Sequence, residues 1–134
     1  MSFLVKTFRG IAACRAPDGK TQFAVQAQYL IDRFSSIELA ICAGAAGSLA
    51  PDLSVGDLVV GTETVEHDYR LLFATRPLPR FPGDGPSIDA VRCSAQAVGG
   101  FHVAFDVIAS GDEDVVTSKR AQEIRDLTGA ACVA

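Results

Sequence analysis

Short apolar runs broken by glycine, with helically spaced stretches between them, are the feature that most limits what this chain can fold into. Gly10-Ile11-Ala12-Ala13-Cys14 is the first run and predicts a strand. A turn is expected at Ala16-Pro17-Asp18-Gly19-Lys20. Thr21 is then placed to cap a helix in which Phe23, Ala27, Leu30 and Phe34 share one face. Ile37-Glu38-Leu39-Ala40-Ile41-Cys42-Ala43 is apolar enough for a central strand and breaks at Gly44-Ala45-Ala46-Gly47-Ser48-Leu49. Val55-Gly56-Asp57 predicts a turn that leads into the strand Leu58-Val59-Val60. Residues 63–86 contain Pro77, Pro79, Pro82 and Pro86 and are expected to be mostly loop, with an extended piece at 64–69. Ser87 is placed to cap a helix over 88–98, with Ile88, Val91 and Ala95 on one face and Gly99-Gly100 closing it. Residues 101–109 predict a long strand that ends at Ser110-Gly111-Asp112. A third helix over 118–127 turns Ala121, Ile124 and Leu127 inward and stops at Gly129. Ala130-Ala131-Cys132-Val133-Ala134 reads as another buried strand. Strands alternating with helices make an α/β fold.

At 134 residues, with 49% apolar and 21% charged, the chain suits one globular domain over 1–134. A net charge of −4 argues against a nucleic-acid partner, which calls for a basic face. No apolar run approaches the ~20 residues that span a bilayer, and Met1-Ser2-Phe3-Leu4-Val5-Lys6 lacks the order of a signal peptide. A soluble, cytoplasmic protein without a membrane partner is therefore expected. The four cysteines form no C-x-x-C pair and there are two histidines, so no metal-ligand spacing arises and no metal or cofactor is expected. Cys14, Cys42 and Cys132 lie in apolar runs and are expected as buried core thiols. No Ser-His-Asp arrangement can be argued. Lys20 does not belong to a phosphate-binding P-loop, because the rest of that motif is missing.

Four motifs in order resemble one family. They are Ile41-Cys42-Ala43-Gly44-Ala45-Ala46-Gly47-Ser48-Leu49, Val55-Gly56-Asp57-Leu58-Val59-Val60, His67-Asp68, and Ile108-Ala109-Ser110-Gly111-Asp112. Gly19-Lys20 before a helix is a weaker fifth match. Together they resemble the nucleoside phosphorylase and nucleosidase superfamily over residues 8–134, and within it the methylthioadenosine/S-adenosylhomocysteine nucleosidase-like hydrolases. The resemblance implies a three-layer α/β/α fold with a central mixed β-sheet. It also implies cleavage of the N-glycosidic bond of a purine-type nucleoside by water or phosphate. As the bond breaks, the sugar gains oxocarbenium character and the base gains electron density. The site must therefore hydrogen-bond the base, cradle the ribose and place the nucleophile.

Residue by residue, the resemblance assigns Ala45, Ala46 and Gly47 to a loop beside the ribose and the nucleophile. Phosphorolytic members tend to carry a hydroxyl residue where Ala45 stands, and some an arginine where Cys42 stands. Neither present residue suits phosphate, which favours hydrolysis. Asp112, Asp114 and Val115 follow as base-side residues. Purine-cleaving relatives stack an aromatic where Asp114 stands, whereas Val115 retains the apolar residue whose main chain contacts the base. Asp112-Glu113-Asp114 is more readily a solvated acidic turn than an acid/base pair. His67 and Asp68 are expected to contact substrate or a neighbouring subunit, or else to form a plain surface pair.

The family's ribose-binding Met-Glu follows a strand like residues 130–134, and its proton-donating Asp or Asn lies further on. Its early glutamate has no match in residues 1–9. The chain is therefore expected to be C-terminally truncated and inactive in isolation, with residues 130–134 open as an unpaired edge. Three readings follow: a nucleosidase, a nucleoside phosphorylase, and a degenerate non-catalytic nucleoside-binding or regulatory relative. The expected partners are a small-molecule nucleoside and further copies of the chain in a homo-oligomer.

Overall fold

The computed structural model describes residues 5–15, 19–34, 36–97 and 99–134. The turn residues Ala16, Pro17 and Asp18 and the helix end at Val98 lie outside the described residues. Two compact units are present, Met1–Ala43 and Gly44–Ala134.

In the first unit, β1 (Val5–Phe8) and β2 (Ile11–Cys14) form an antiparallel hairpin with Phe8 opposite Ile11. Arg9 and Gly10 between them both have positive φ, 47° and 79°. Two positive φ values are what a two-residue hairpin loop requires to match strand twist. α1 (Lys20–Arg33) starts after Gly19, at φ 96°, with no side-chain cap. Its expected face is partly realised: Ala27, Leu30 and Phe34 are half-buried, but Phe23 is exposed and Gln26 is the buried residue. Residues 37–43 differ from expectation. They form no strand, and Ile41 is 79% exposed. Apolar composition expresses a demand for burial but supplies no ladder partner, and no ladder among the described residues includes this run. Cys42 is accordingly exposed and Cys14 half-buried; of the three expected core thiols only Cys132 is buried.

The second unit holds a sheet of β3 (Gly47–Ser48), β4 (Leu58–Glu66), β5 (Arg80–Pro82), β6 (Val103–Ser110) and β7 (Cys132–Val133). Its order is β3-β7-β6-β4-β5. The β7-β6-β4 pairs are parallel, while β3 and β5 flank them antiparallel. The sheet is thus central and mixed, with helices α2 (Tyr69–Leu72), α3 (Gly85–Ala95) and α4 (Ser118–Thr128) in the connections. Among the described residues, no helix is long and apolar enough to cross a membrane.

β4 runs on through Glu66, and α2 and β5 fill much of the expected 63–86 loop. The prolines hid these elements. Pro82 sits in a flanking strand, where a missing N–H is tolerated, and Pro86 lies in the first turn of α3, where no intrahelical partner is lost. Asp84, rather than Ser87, caps α3: its carboxylate accepts from Ser87 N at 3.0 Å and Ser87 Oγ at 2.5 Å. α4 matches its expected span closely. Thr117 Oγ1 accepts from Arg120 N at 3.2 Å, and Gly129 ends the helix at φ 73°. The core cluster is Val65 of β4, Ala109 of β6, Ile124 of α4 and Ala130, with Val115 and Val133 packed against it.

The Gly56-Asp57 turn joins the starts of β4 and β6. Asp57 accepts from Ser54 N at 2.7 Å and from His102 N at 3.2 Å. The Ser54 N–H above all holds the Asp57 carboxyl below its ordinary value. Residues 130–134 are not an open edge. Val133 pairs with Gly47 on one side and Ala109 on the other, so β7 lies inside the sheet.

Candidate active site

The parallel register brings the candidate residues to one end of the second unit. Glu66 is opposite Ser110, and Ala109 is opposite Val133, which in turn is opposite Gly47. Gly47 thus lies two strand spacings, roughly 10 Å, from Ala109. The loop containing Ala45 and Ala46 leads into β3 beside the carboxyl end of β7. In open α/β sheets, ligands bind outside the carboxyl ends of the strands. Ala45, Ala46 and Gly47 are exposed there, as are Asp112 and Asp114. Val115 is half-buried and packs against the core cluster.

The His67-Asp68 and Ser110-Gly111-Asp112 motifs interlock. His67 N donates to Ser110 O at 3.1 Å, and Asp112 N donates to Asp68 Oδ2 at 2.8 Å. Gly111 packs against the imidazole: a Cβ there would stand 2.8 Å from His67 Cε1 and closer still to Nε2. His67 is 1% exposed. The expected surface pair is therefore corrected: the ring is enclosed by the loop it supports. The strand end does not name the residue that covers the ring, because Gly111 lies far along the chain.

Glu113 also departs from the expected solvated turn. Its Oε1 accepts from Arg120 Nε at 2.6 Å and its Oε2 from Arg120 Nη2 at 2.7 Å. Its Oε2 stands 3.8 Å from His67 Nδ1. Hydrogen bonding by Arg120 is the main cause that holds the Glu113 carboxyl below its ordinary value, with Arg120 and His67 charge adding and Asp68 opposing. Arg120 was missed in the sequence. The available signal was a cation in the first turn of a helix, where the dipole prefers anions.

A mixed, largely parallel sheet with small-residue and acidic loops at its carboxyl ends defines an α/β protein. The sequence profile of the Phosphorylase superfamily matches residues 3–134. The chain belongs to that superfamily. The 5'-methylthioadenosine/S-adenosylhomocysteine nucleosidase of Anoxybacillus flavithermus is 33% identical over 114 residues, covering 80% of this chain and 49% of the relative. That of Thermotoga maritima is 33% identical over 115 residues, covering 86% of this chain and 50% of the relative. The chain spans about half the length of the curated relatives it matches. Among solved structures, it resembles the 5'-methylthioadenosine/S-adenosylhomocysteine nucleosidase of Neisseria meningitidis in complex with methylthio-immucillin-A. That likeness has a TM-score of 0.83 and 30% identity, over 98% of this chain and 65% of the other. A futalosine hydrolase mutant of Helicobacter pylori shares the fold, with a TM-score of 0.81 at 23% identity over 99% of this chain and 67% of the other.

Proposed function

We propose that the complete protein hydrolyses the N-glycosidic bond of a purine-type nucleoside, with water rather than phosphate as nucleophile. The observation that carries this reading is the register that, with the Asp68–Asp112 contact, gathers Gly47, Asp68 and Ser110-Gly111-Asp112 at one end of the sheet. In this reading the main chain at Val115 hydrogen-bonds the base, and the ribose lies beside the small residues Ala45, Ala46 and Gly47. Electrostatics favours water. Asp112, Glu113 and Asp114 follow one another after Gly111, Asp68 is bonded to Asp112 N, and Arg120 is committed to Glu113. Such a site repels a phosphate dianion, whereas it tolerates a sugar that becomes positive.

Residues 1–134 supply this scaffold but not the acid or the ribose carboxylate that the resemblance calls for, so they are expected to be inactive alone. We further assign the complete protein to the cytoplasm and to a homo-oligomer, as the resemblance implies. A second reading, nucleoside binding without cleavage, is favoured by the exposed carboxylate of Asp114, which cannot stack on a base.

The test is to incubate the complete protein with methylthioadenosine in buffers with and without phosphate. Adenine release that is independent of phosphate, with a free thiosugar as co-product, is the expected result. A sugar 1-phosphate would overturn hydrolysis, and binding without release would establish the second reading. Enzymatic-rate release by residues 1–134 alone would overturn the expectation for the isolated chain.

A further inference from the structure

We propose that Arg120, acting through Glu113, is a positioning residue that holds the main chain of residues 112–115 in the shape a nucleobase requires. This role rests on the nucleosidase reading above. Three contacts grip the loop from below. His67 packs under Gly111, Asp68 accepts from the Asp112 N–H, and Arg120 holds Glu113 with two parallel hydrogen bonds. The first two contacts sit at the loop's start. Val115, at its far end, is anchored in the core. Between these anchors Glu113 ties the loop to α4, and a bidentate arginine fixes orientation as well as distance.

Both partners are half-buried. The side chains of Arg120 and Glu113 are 26% and 27% exposed, so the pair is less screened than a surface one. Side chains alternate along an extended strip. Glu113 turned toward α4 accordingly leaves Asp112 and Asp114 on the exposed side. The location of the arginine is itself informative. It occupies the third position of α4, beside Lys119 and with no acid in that first turn. A cation there opposes the helix dipole. Local rules broken in this way are expected where a residue serves a site. Glu123 one turn on also accepts from Arg120, at 3.2 Å, and helps set its side chain.

The loop has other anchors, so loss of Arg120 should loosen its middle without unfolding the unit. The complete protein is compared with its R120A, E113A and R120K variants and with the exchanged pair E113R/R120E, using methylthioadenosine. The single alanine variants are expected to raise KM by about tenfold or more while kcat stays within about threefold, the pattern of lost binding. R120K, which cannot make the bidentate contact, should fall between. The exchanged pair should recover most of the KM. A wild-type protein that releases base while R120A keeps its KM would overturn this role alone. Failure of the exchanged pair to recover would show that Arg120 acts otherwise, and would also overturn it. A wild-type protein that neither binds nor cleaves a nucleoside overturns the nucleosidase reading, and this role with it.

Discussion

At the scale of single residues, Gly111 and His67 exclude each other's alternatives. The imidazole is buried and occupies the space a side chain at 111 would need. Gly111→Ala must therefore push the ring, the β6 end or both. Overpacking of this kind costs about 1–3 kcal/mol, to be read as a lower denaturation midpoint in urea. An unchanged midpoint would mean that the ring yields freely and braces nothing. The Ser-Gly-Asp motif was legible in the sequence, and so was His-Asp, but their contact was not. A glycine announces that something comes close without saying what. Arg120 was not legible, because its only sequence signal is a mild conflict with a helix dipole.

At the scale of elements, legibility followed local chemistry. α4 was placed almost residue for residue because both of its ends carry their own signals, Thr117 before it and Gly129 after it. Replacing Thr117 with alanine should remove the cap on Arg120 N and cost about 1 kcal/mol. Thermal unfolding of the variant measures this, and Thr117→Ser should restore most of the loss. α3 began earlier than expected because its capping residue is Asp84, hidden in a proline-rich stretch. The hairpin of β1 and β2 was not anticipated, since Arg-Gly is a weaker turn signal than Asn-Gly. Residues 37–43 failed as a strand for a different reason. Pairing is a property of the partner as much as of the run, and one sequence segment does not disclose its neighbour.

At the scale of the whole molecule, the second unit is held by a small shared core. Val65, Ala109, Ile124 and Ala130 come from β4, β6, α4 and the approach to β7, so one residue supports several elements. Ile124 is 0% exposed and is among the largest fully buried side chains. Ile124→Ala should cost about 3 kcal/mol, within the range for emptying a buried aliphatic site. The urea midpoint should fall while the slope is unchanged; a shift of under about 0.5 kcal/mol would place the stabilising core elsewhere. The α/β class was readable from the alternation of runs and the mixed sheet from the family resemblance, but strand order was not readable from the runs, because it is decided by which ends meet in space. That order has a consequence in time. The long β4-β6 ladder begins with Leu58 opposite Val103, and everything from α2 to α3 lies between them in sequence. That stretch must close before the ladder can form, and non-local parallel pairing of this kind slows folding. While closure is pending, the apolar β4 and β6 segments are exposed without partners, so a newly made chain is at its most vulnerable to sticking to others before its site exists.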